Sequence, residues 1–372
     1  MKRNLSFPGW MFAVIFSTCL AMSGCLSAPI DIVQGIADAT FSVAKTAVDV
    51  PLDVAGAVVD IPHTNYKINL TEEREWTFDR GNAKQTDVEA CNGSIVVSGT
   101  DRDQVVVHAW KKVYARTRAD VDKFMAKIDL FAQSEGDRIH AGFHYPPDRR
   151  HLSFSIHYEI QVPQAMDLKL TTDNARIQVH HVNGRITART SNGGIEVADG
   201  KYDADLNTSN SAVELNNVEG GFHVETSNAA IRVKQGKGHF TFNTSNGSIE
   251  LDDSSGRFHA RTSNASIRAD RLRLAGEGYF ETDNASVQVA ASDGIAPITI
   301  KTSNGSIRLA LPGDFRGALE AFAGNGHVKS EFPISVREAR SSQMVGPIGN
   351  GGETKVYLRT NNGGIDIVQS RP

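Results

Sequence analysis

The feature that most constrains the fold of this 372-residue chain is an internal repeat of nearly constant length. The motif is Thr-Ser-Asn, two small residues, Ile or Val, a polar residue and an apolar residue. It appears as TSNGGIEV (190–197), TSNSAVEL (208–215), TSNAAIRV (226–233), TSNGSIEL (244–251) and TSNASIRA (262–269). Variants are TTDNARIQV (171–179), TDNASVQV (282–289), TSNGSIRL (302–309) and TNNGGIDI (360–367), and an early copy, CNGSIVV, begins at Cys91. The asparagines Asn174, Asn192, Asn210, Asn228, Asn246, Asn264, Asn284 and Asn304 advance by 18 residues five times and then by 20 twice.

Each unit carries two strand signals. Counting back by two from Thr226 gives Val224 and Phe222, and from Thr244 it gives Phe242 and Phe240. That period places these side chains on one face of a strand. A second strand follows the asparagine, as in Ile195/Val197 and Ile249/Leu251. Turn-forming runs such as Asn-Asn-Val-Glu-Gly separate the units. One such coil cannot bury its apolar face alone, so neighbours must stack. The spacing predicts an all-β chain: a parallel β-solenoid with about 18 residues and two short strands per coil, capped at its N-terminal side by a mixed β/α segment. An antiparallel sandwich also gives frequent turn signals. It does not explain the same residues returning at the same corner.

Stacking at about 4.8 Å turns equivalent residues into ladders. The asparagines above would form a hydrogen-bonded structural ladder at a tight corner, with Gly or Ala beside it because space or φ is restricted there. The outward position after Ile/Val reads Gln178, Glu196, Glu214, Arg232, Glu250, Arg268, Gln288, Arg308. Its sign alternates from Glu214 to Arg268, as in a salt-bridge ladder on a solvated face.

The flanking regions have another character. Residues 1–24 combine Lys2 and Arg3 with an apolar stretch of about 13 residues, short of the roughly 20 that span a membrane, and read as a lipoprotein signal peptide. The stretch ends in Met22-Ser23-Gly24-Cys25, a lipobox-like pattern, so Cys25 is the expected lipidation site, and Leu26 after it favours the outer membrane. Residues 25–62 form the lipid-anchored segment. Ile30, Val33, Ile36, Ala37, Phe41, Ala44, Ala47 and Val48 recur at helical spacing, which predicts an amphipathic helix ending at Pro51. Residues 63–165 are the predicted cap, with a helix near Ala119–Ile128 and alternating strands on both sides of a YPPDRR hairpin tip. Residues 166–372 are the solenoid, with a long loop over 332–353.

His140, His144, His151 and His157 share the outward phase of the expected hairpin. A register setting His140 opposite His157 makes that pair the metal candidate, although no HExxH or CxxC accompanies it. Calcium-binding β-rolls need GGxGxD turns, which are missing, as are GxSxG and phosphate-binding loops. Glu196 and Glu214 would stack one coil apart, close enough for glycosidase chemistry. Tyr202 and Tyr279 stand as isolated aromatic candidates, without a platform. A net charge of −4 gives no basic footprint for nucleic acid.

The TSNGxI repeats, SGTDRDQVVVHAWKK (98–112), YEIQVP (158–163) and the closing GNGG…LRTNNGGIDI (349–367) together resemble the DUF4097 putative-adhesin family of β-strand-repeat proteins, over about residues 87–372. The resemblance implies a β-solenoid on a bacterial envelope protein and brings no established catalytic residues. The expectation is therefore a non-enzymatic, cofactor-free envelope lipoprotein. Its solenoid would serve adhesion, binding or scaffolding, with the membrane, envelope glycans or proteins as partners. A periplasmic envelope-stress or signalling accessory is the alternative, and a carbohydrate-active enzyme the third reading.

Overall fold

The computed structural model describes residues 40–44, 68–145, 153–292, 296–335 and 338–370. The 18-residue units form parallel coils, each conveniently labelled by its corner asparagine. In the Asn192 coil the strand Gly184–Arg189 enters the corner and a strand beginning at Ile195 leaves it. The two short strands of consecutive units run together in the middle of the stack. Ile195–Asn207, Val213–Glu225 and Ile231–Asn243 are single strands of 13 residues. Each bends at a residue with left-handed backbone. His181, Asp199, Asn217, Gln235, Asp253 and Arg271 are 18 apart, with φ between 47° and 57°. Asp and Asn tolerate this conformation, whereas the others are held in it by the ladders on either side.

Register is uniform. Ile95, Ile177, Ile195, Val213, Ile231, Ile249, Ile267, Val287 and Ile307 are successive parallel partners, and all are buried. On the other sheet, the two inward columns combine a large and a small residue in several coils, whereas Phe240 and Phe242 fill both positions of theirs. Ala204 accompanies Leu206, Phe258 accompanies Ala260, and Gly278 accompanies Phe280. Phe222, Phe240 and Phe258 stack in line, with centroids 5.3 and 5.2 Å apart and planes within 10°. The first 20-residue unit places its two extra residues in a bulge between Leu274 and Gly278, leaving the inward columns in phase.

The stack does not begin at residue 166. Gln85–Glu89 and Ile95–Thr100 pair with Asp167–Thr171 and Ile177–His180, so the Asn92 unit is a full coil. The chain then leaves the stack and returns to build the layer beneath it. Arg138–His144 and Ser153–Pro163 run parallel to the two strands of the Asn92 coil. They are not paired with each other, so the expected hairpin is absent. Antiparallel strands close this end: Asp129–Glu135 on one sheet, and Gln104–Ala115, Ile68–Asp79 and Thr40–Ala44 on the other. The strand Thr40–Ala44 overturns the amphipathic helix expected through that stretch, because pairing with Glu73–Thr77 satisfies backbone groups along a sheet edge. The remainder of that helix lies outside the described residues.

The cap helix is found at Arg118–Met125, N-capped by Thr117, whose side chain accepts from Asp120 N–H. Its C-terminal end is fixed by Lys111. This ammonium is 1% exposed, donates to the carbonyls of Met125 at 3.0 Å and Ile128 at 2.6 Å, and meets Glu72 at 2.9 Å. Burial pulls the Lys111 ammonium below its ordinary range against the opposing pull of Glu72. Burial alone would raise Glu72, but Lys111 and Arg74 hold its carboxyl below the usual value.

At the far end the order of coils departs from the order of sequence. Ile298–Thr302 and Ile307–Leu311 pair with the chain's last strands, Lys355–Thr360 and Ile365–Gln369. The earlier strands Gly317–Ala323 and Val328–Ser330 lie outside these. The final coil is thus inserted between the two that precede it. The expected loop 332–353 contains an antiparallel pair, Glu338–Arg340 and Gln343–Ile348, and the latter covers the edge of Gly317–Ala323.

Candidate functional site

Three surfaces of the stack carry polar chemistry, and the first is the asparagine corner. Each Asn Nδ2 donates to the Oδ1 of the coil beneath, from Asn192 onto Asn174 up to Asn304 onto Asn284, at 2.5–2.9 Å. The ladder is longer than the eight asparagines of the regular repeat. Asn174 donates to Asn92 at its base, Asn362 continues it on Asn304 at 2.8 Å, and Asn325 ends it at 2.7 Å. Asn92 and Asn362 lie in motif copies visible in the sequence, whereas Asn325 sits in GNGHV and follows Asn362 only in space. Beneath the corner, buried threonines donate to carbonyls one coil away, as Thr208 does to Gly193 O at 2.8 Å. Gly193 shows how tight the corner is: a Cβ there would lie 1.7 Å from the Ala175 carbonyl oxygen. With its amides spent on one another, this corner is structural.

The second surface is the outward ladder of the first sheet. Arg232 bridges Glu214 and Glu250, at 3.3 Å to each. Arg268 turns instead to Asp270 in its own strand, at 2.7 Å. Glu196 and Glu214 are register partners, as expected. Glu196 accepts from Gln178 at 3.0 Å and faces Arg176 at 3.6 Å, while Glu214 faces Arg232. The pair is therefore flanked by cations on both sides within a solvated ladder.

The histidine pair is not assembled. His140 is the register partner of Asp87 and Gln133, and His157 that of Trp110, on different strands of the lowest layer. His140 and His144 both pack on Phe131, with centroids at 5.1 and 4.5 Å. His157 Nδ1 accepts from Ser94 N–H at 3.1 Å, which leaves it no free lone pair there for a metal. Burial, aided by Lys112, holds the His157 pKa below its ordinary value. His151 and Cys25 lie outside the described residues.

The third surface was missed in the sequence. Along the second sheet, beside the asparagine corner, an open polar groove of about 340 Å³ crosses four coils. Asn207, Glu225, Asn243 and Arg261 line one wall, and Ser209, Ser227, Ser245 and Ser263 the other. It leads toward an aromatic strip. His259 and Tyr279 stack with centroids 4.7 Å apart and planes 5° apart. Lys301 Nζ lies 5.3 Å from the Tyr279 ring and 5.9 Å from that of Tyr357, and Phe322 follows at 6.1 Å from Tyr357. Tyr279 is thus not isolated. Burial, together with its hydrogen bond to Glu281, pushes its hydroxyl up to about 12. Tyr202, by contrast, is buried, and its hydroxyl donates to Ala198 O at 2.7 Å. Tyr279 and Tyr357 are 78 positions apart, and only the inserted final coil brings them onto one strip.

Among the described residues no helix is long and apolar enough to cross a membrane. A model of the family described as Toastrack DUF4097 matches residues 86–368. Among solved structures, a putative cell adhesion protein from Clostridium sporogenes ATCC 15579 aligns at 10% identity and a TM-score of 0.17, over 81% of this chain and 100% of its own. A putative adhesin from Bacteroides fragilis NCTC 9343 aligns at 10% identity and a TM-score of 0.28, over 82% and 99%. No curated protein sequence matches.

Proposed function

Because this chain belongs to the Toastrack DUF4097 family, we propose that it is a lipid-anchored protein of the bacterial envelope whose solenoid is a rigid, non-catalytic surface for adhesion, binding or scaffolding. The observation that carries this reading is the pair of continuous parallel ladders, covered by antiparallel strands on both sheets at the first end and on one sheet at the far end. Such a stack buries its apolar columns and turns its outward columns to solvent as a fixed array of side chains, most of them polar. The antiparallel strands at its ends limit edge-to-edge growth, as suits a surface that displays groups rather than polymerises. Lipidation at Cys25 would attach this rod to the membrane.

The test is fractionation and protease shaving of cells producing the full chain and its Cys25→Ala variant. The wild type is expected in the membrane fraction with incorporated fatty acid, and the variant in the soluble fraction. Digestion of the wild type in intact cells supports adhesion or surface contact. Protection until permeabilisation excludes adhesion and directs the reading to a periplasmic accessory. Equal membrane association of both forms overturns the anchor.

A further inference from the structure

We propose that the strip formed by Tyr279, Lys301, Tyr357 and Arg359 binds an acidic polysaccharide laid along the solenoid axis, with the neighbouring polar groove receiving its continuation. The proposal rests on the binding reading above and names the ligand class. It starts from an electrostatic oddity. Lys301 and Arg359 are direct register partners on adjacent strands, and neither has an ion-pair partner among the described residues. Like charges directly opposite each other on a sheet repel. In the same column Arg261 and Glu281 pair at 3.2 Å, and on another column Lys201 and Glu219 pair at 3.5 Å. The acidic neighbours do not relieve the pair. Glu281, the register partner of Lys301, is held instead by Arg261 and by the Tyr279 hydroxyl at 2.9 Å, and Glu320, the register partner of Tyr357 and diagonal to Arg359, forms no ion pair with it among the described residues. An anion is the complement this surface lacks.

The rings indicate what kind of anion. Tyr279 and Tyr357 are separated by the Thr299 strand, roughly 10 Å at two coil steps. Each is half-buried, and the Lys301 ammonium lies within 6 Å of both centroids. Aromatic rings offer contact to the apolar C–H face of a sugar, and a carboxylate on that sugar would reach Lys301 and Arg359. The groove then supplies serine hydroxyls repeated at each coil step, together with Asn243 and Arg261, for the hydroxyls of successive units. A free small anion would use the cations alone and leave rings and groove without a part. A polymer uses all three.

The test is calorimetric titration of the full chain in mild detergent with polygalacturonate, alginate and hyaluronate, and with carboxyl-reduced polygalacturonate as the neutral probe. The expected result is binding of at least one acidic polymer, weakening as salt rises. The variants Tyr279→Ala/Tyr357→Ala and Lys301→Glu/Arg359→Glu should each bind it at least about tenfold more weakly. Arg308→Glu, exposed on the opposite sheet, should bind unchanged. Thermal unfolding of each variant separates lost contact from lost fold. No binding to any of the three acidic polymers overturns the proposal, as does binding by the ring and cation variants as tight as that of the wild type. Crosslinking of the same strip to an envelope protein, without polymer binding, would assign it to protein contact instead and also overturn it. Binding by purified protein holds or fails independently of where Cys25 places the chain, so this outcome is distinct from that of fractionation.

Discussion

The middle of the stack and its two ends are built from the same kind of coil by different rules. From Asn174 to Asn264 each coil follows its predecessor in sequence, and its neighbours in space are its neighbours along the chain. At the ends this breaks down. The Asn92 coil is separated from the next by an excursion that returns to form the layer beneath it. The Asn362 coil enters between Asn304 and Asn325. The middle can propagate on nearest-neighbour contacts, whereas each end must end propagation and seal an edge. That second task needs long-range pairing, and the local motif carries no instruction for it.

The comparison can be broken most forcefully by two deletions of similar size. Removing residues 210–227 excises one 18-residue unit in phase. The product should elute as the parent does and unfold cooperatively. Removing residues 355–369 withdraws the inserted coil and strands the Asn325 layer. That product should lose cooperative unfolding by circular dichroism and self-associate in size-exclusion chromatography. Similar behaviour of the two products would show that the ends are no different from the middle.

A single side chain probes the middle next. Phe240 is buried between Phe222 and Phe258, both stacked on it. Phe240→Ala should cost about 3–5 kcal/mol in urea unfolding, the usual range for a core phenylalanine. A cost under about 1 kcal/mol would mean that the coils collapse into the void, and that the stack is more compliant than its registers imply.

The smallest effect sharpens the contrast by pH. His157 sits in the lowest layer, with its pKa held below the ordinary 6.5 by burial and Lys112. As pH falls through that value the unfolded chain takes up the proton first. Stability contributed by the neutral ring is therefore complete above about pH 6.5 and declines as pH drops below it. Melting temperature should fall over this interval in the wild type, and less so in His157→Asn. An identical pH slope in both proteins would remove His157 from the account.

Much of this architecture was legible from residues. The inward columns follow from period-two counting around Thr226 and Thr244, and the asparagine ladder from the 18-residue step. Asp199, Asn217 and Asp253 announce their bends by residue type, whereas Gln235 and Arg271 do not, since those side chains have no preference for left-handed backbone. The histidine pair failed for a related reason. Alternation placed His140 and His157 on a common phase, but phase does not choose a pairing partner, and both strands found better edges on the Asn92 coil. The binding strip was illegible because Tyr279 and Tyr357 belong to units that the sequence separates.

What the sequence determined by itself was the coil. A fixed period and alternating apolar positions leave a chain like this few ways to bury its surface other than stacking in register. What only the tertiary structure decided was the order of coils at the ends, and with it the surface beside Lys301 and Arg359. Any coil of this repeat can pair with any other, because their backbone ladders are equivalent. The order adopted puts outermost the layer whose Gly317–Ala323 edge is covered by Gln343–Ile348, a property of the whole stack and of no single segment.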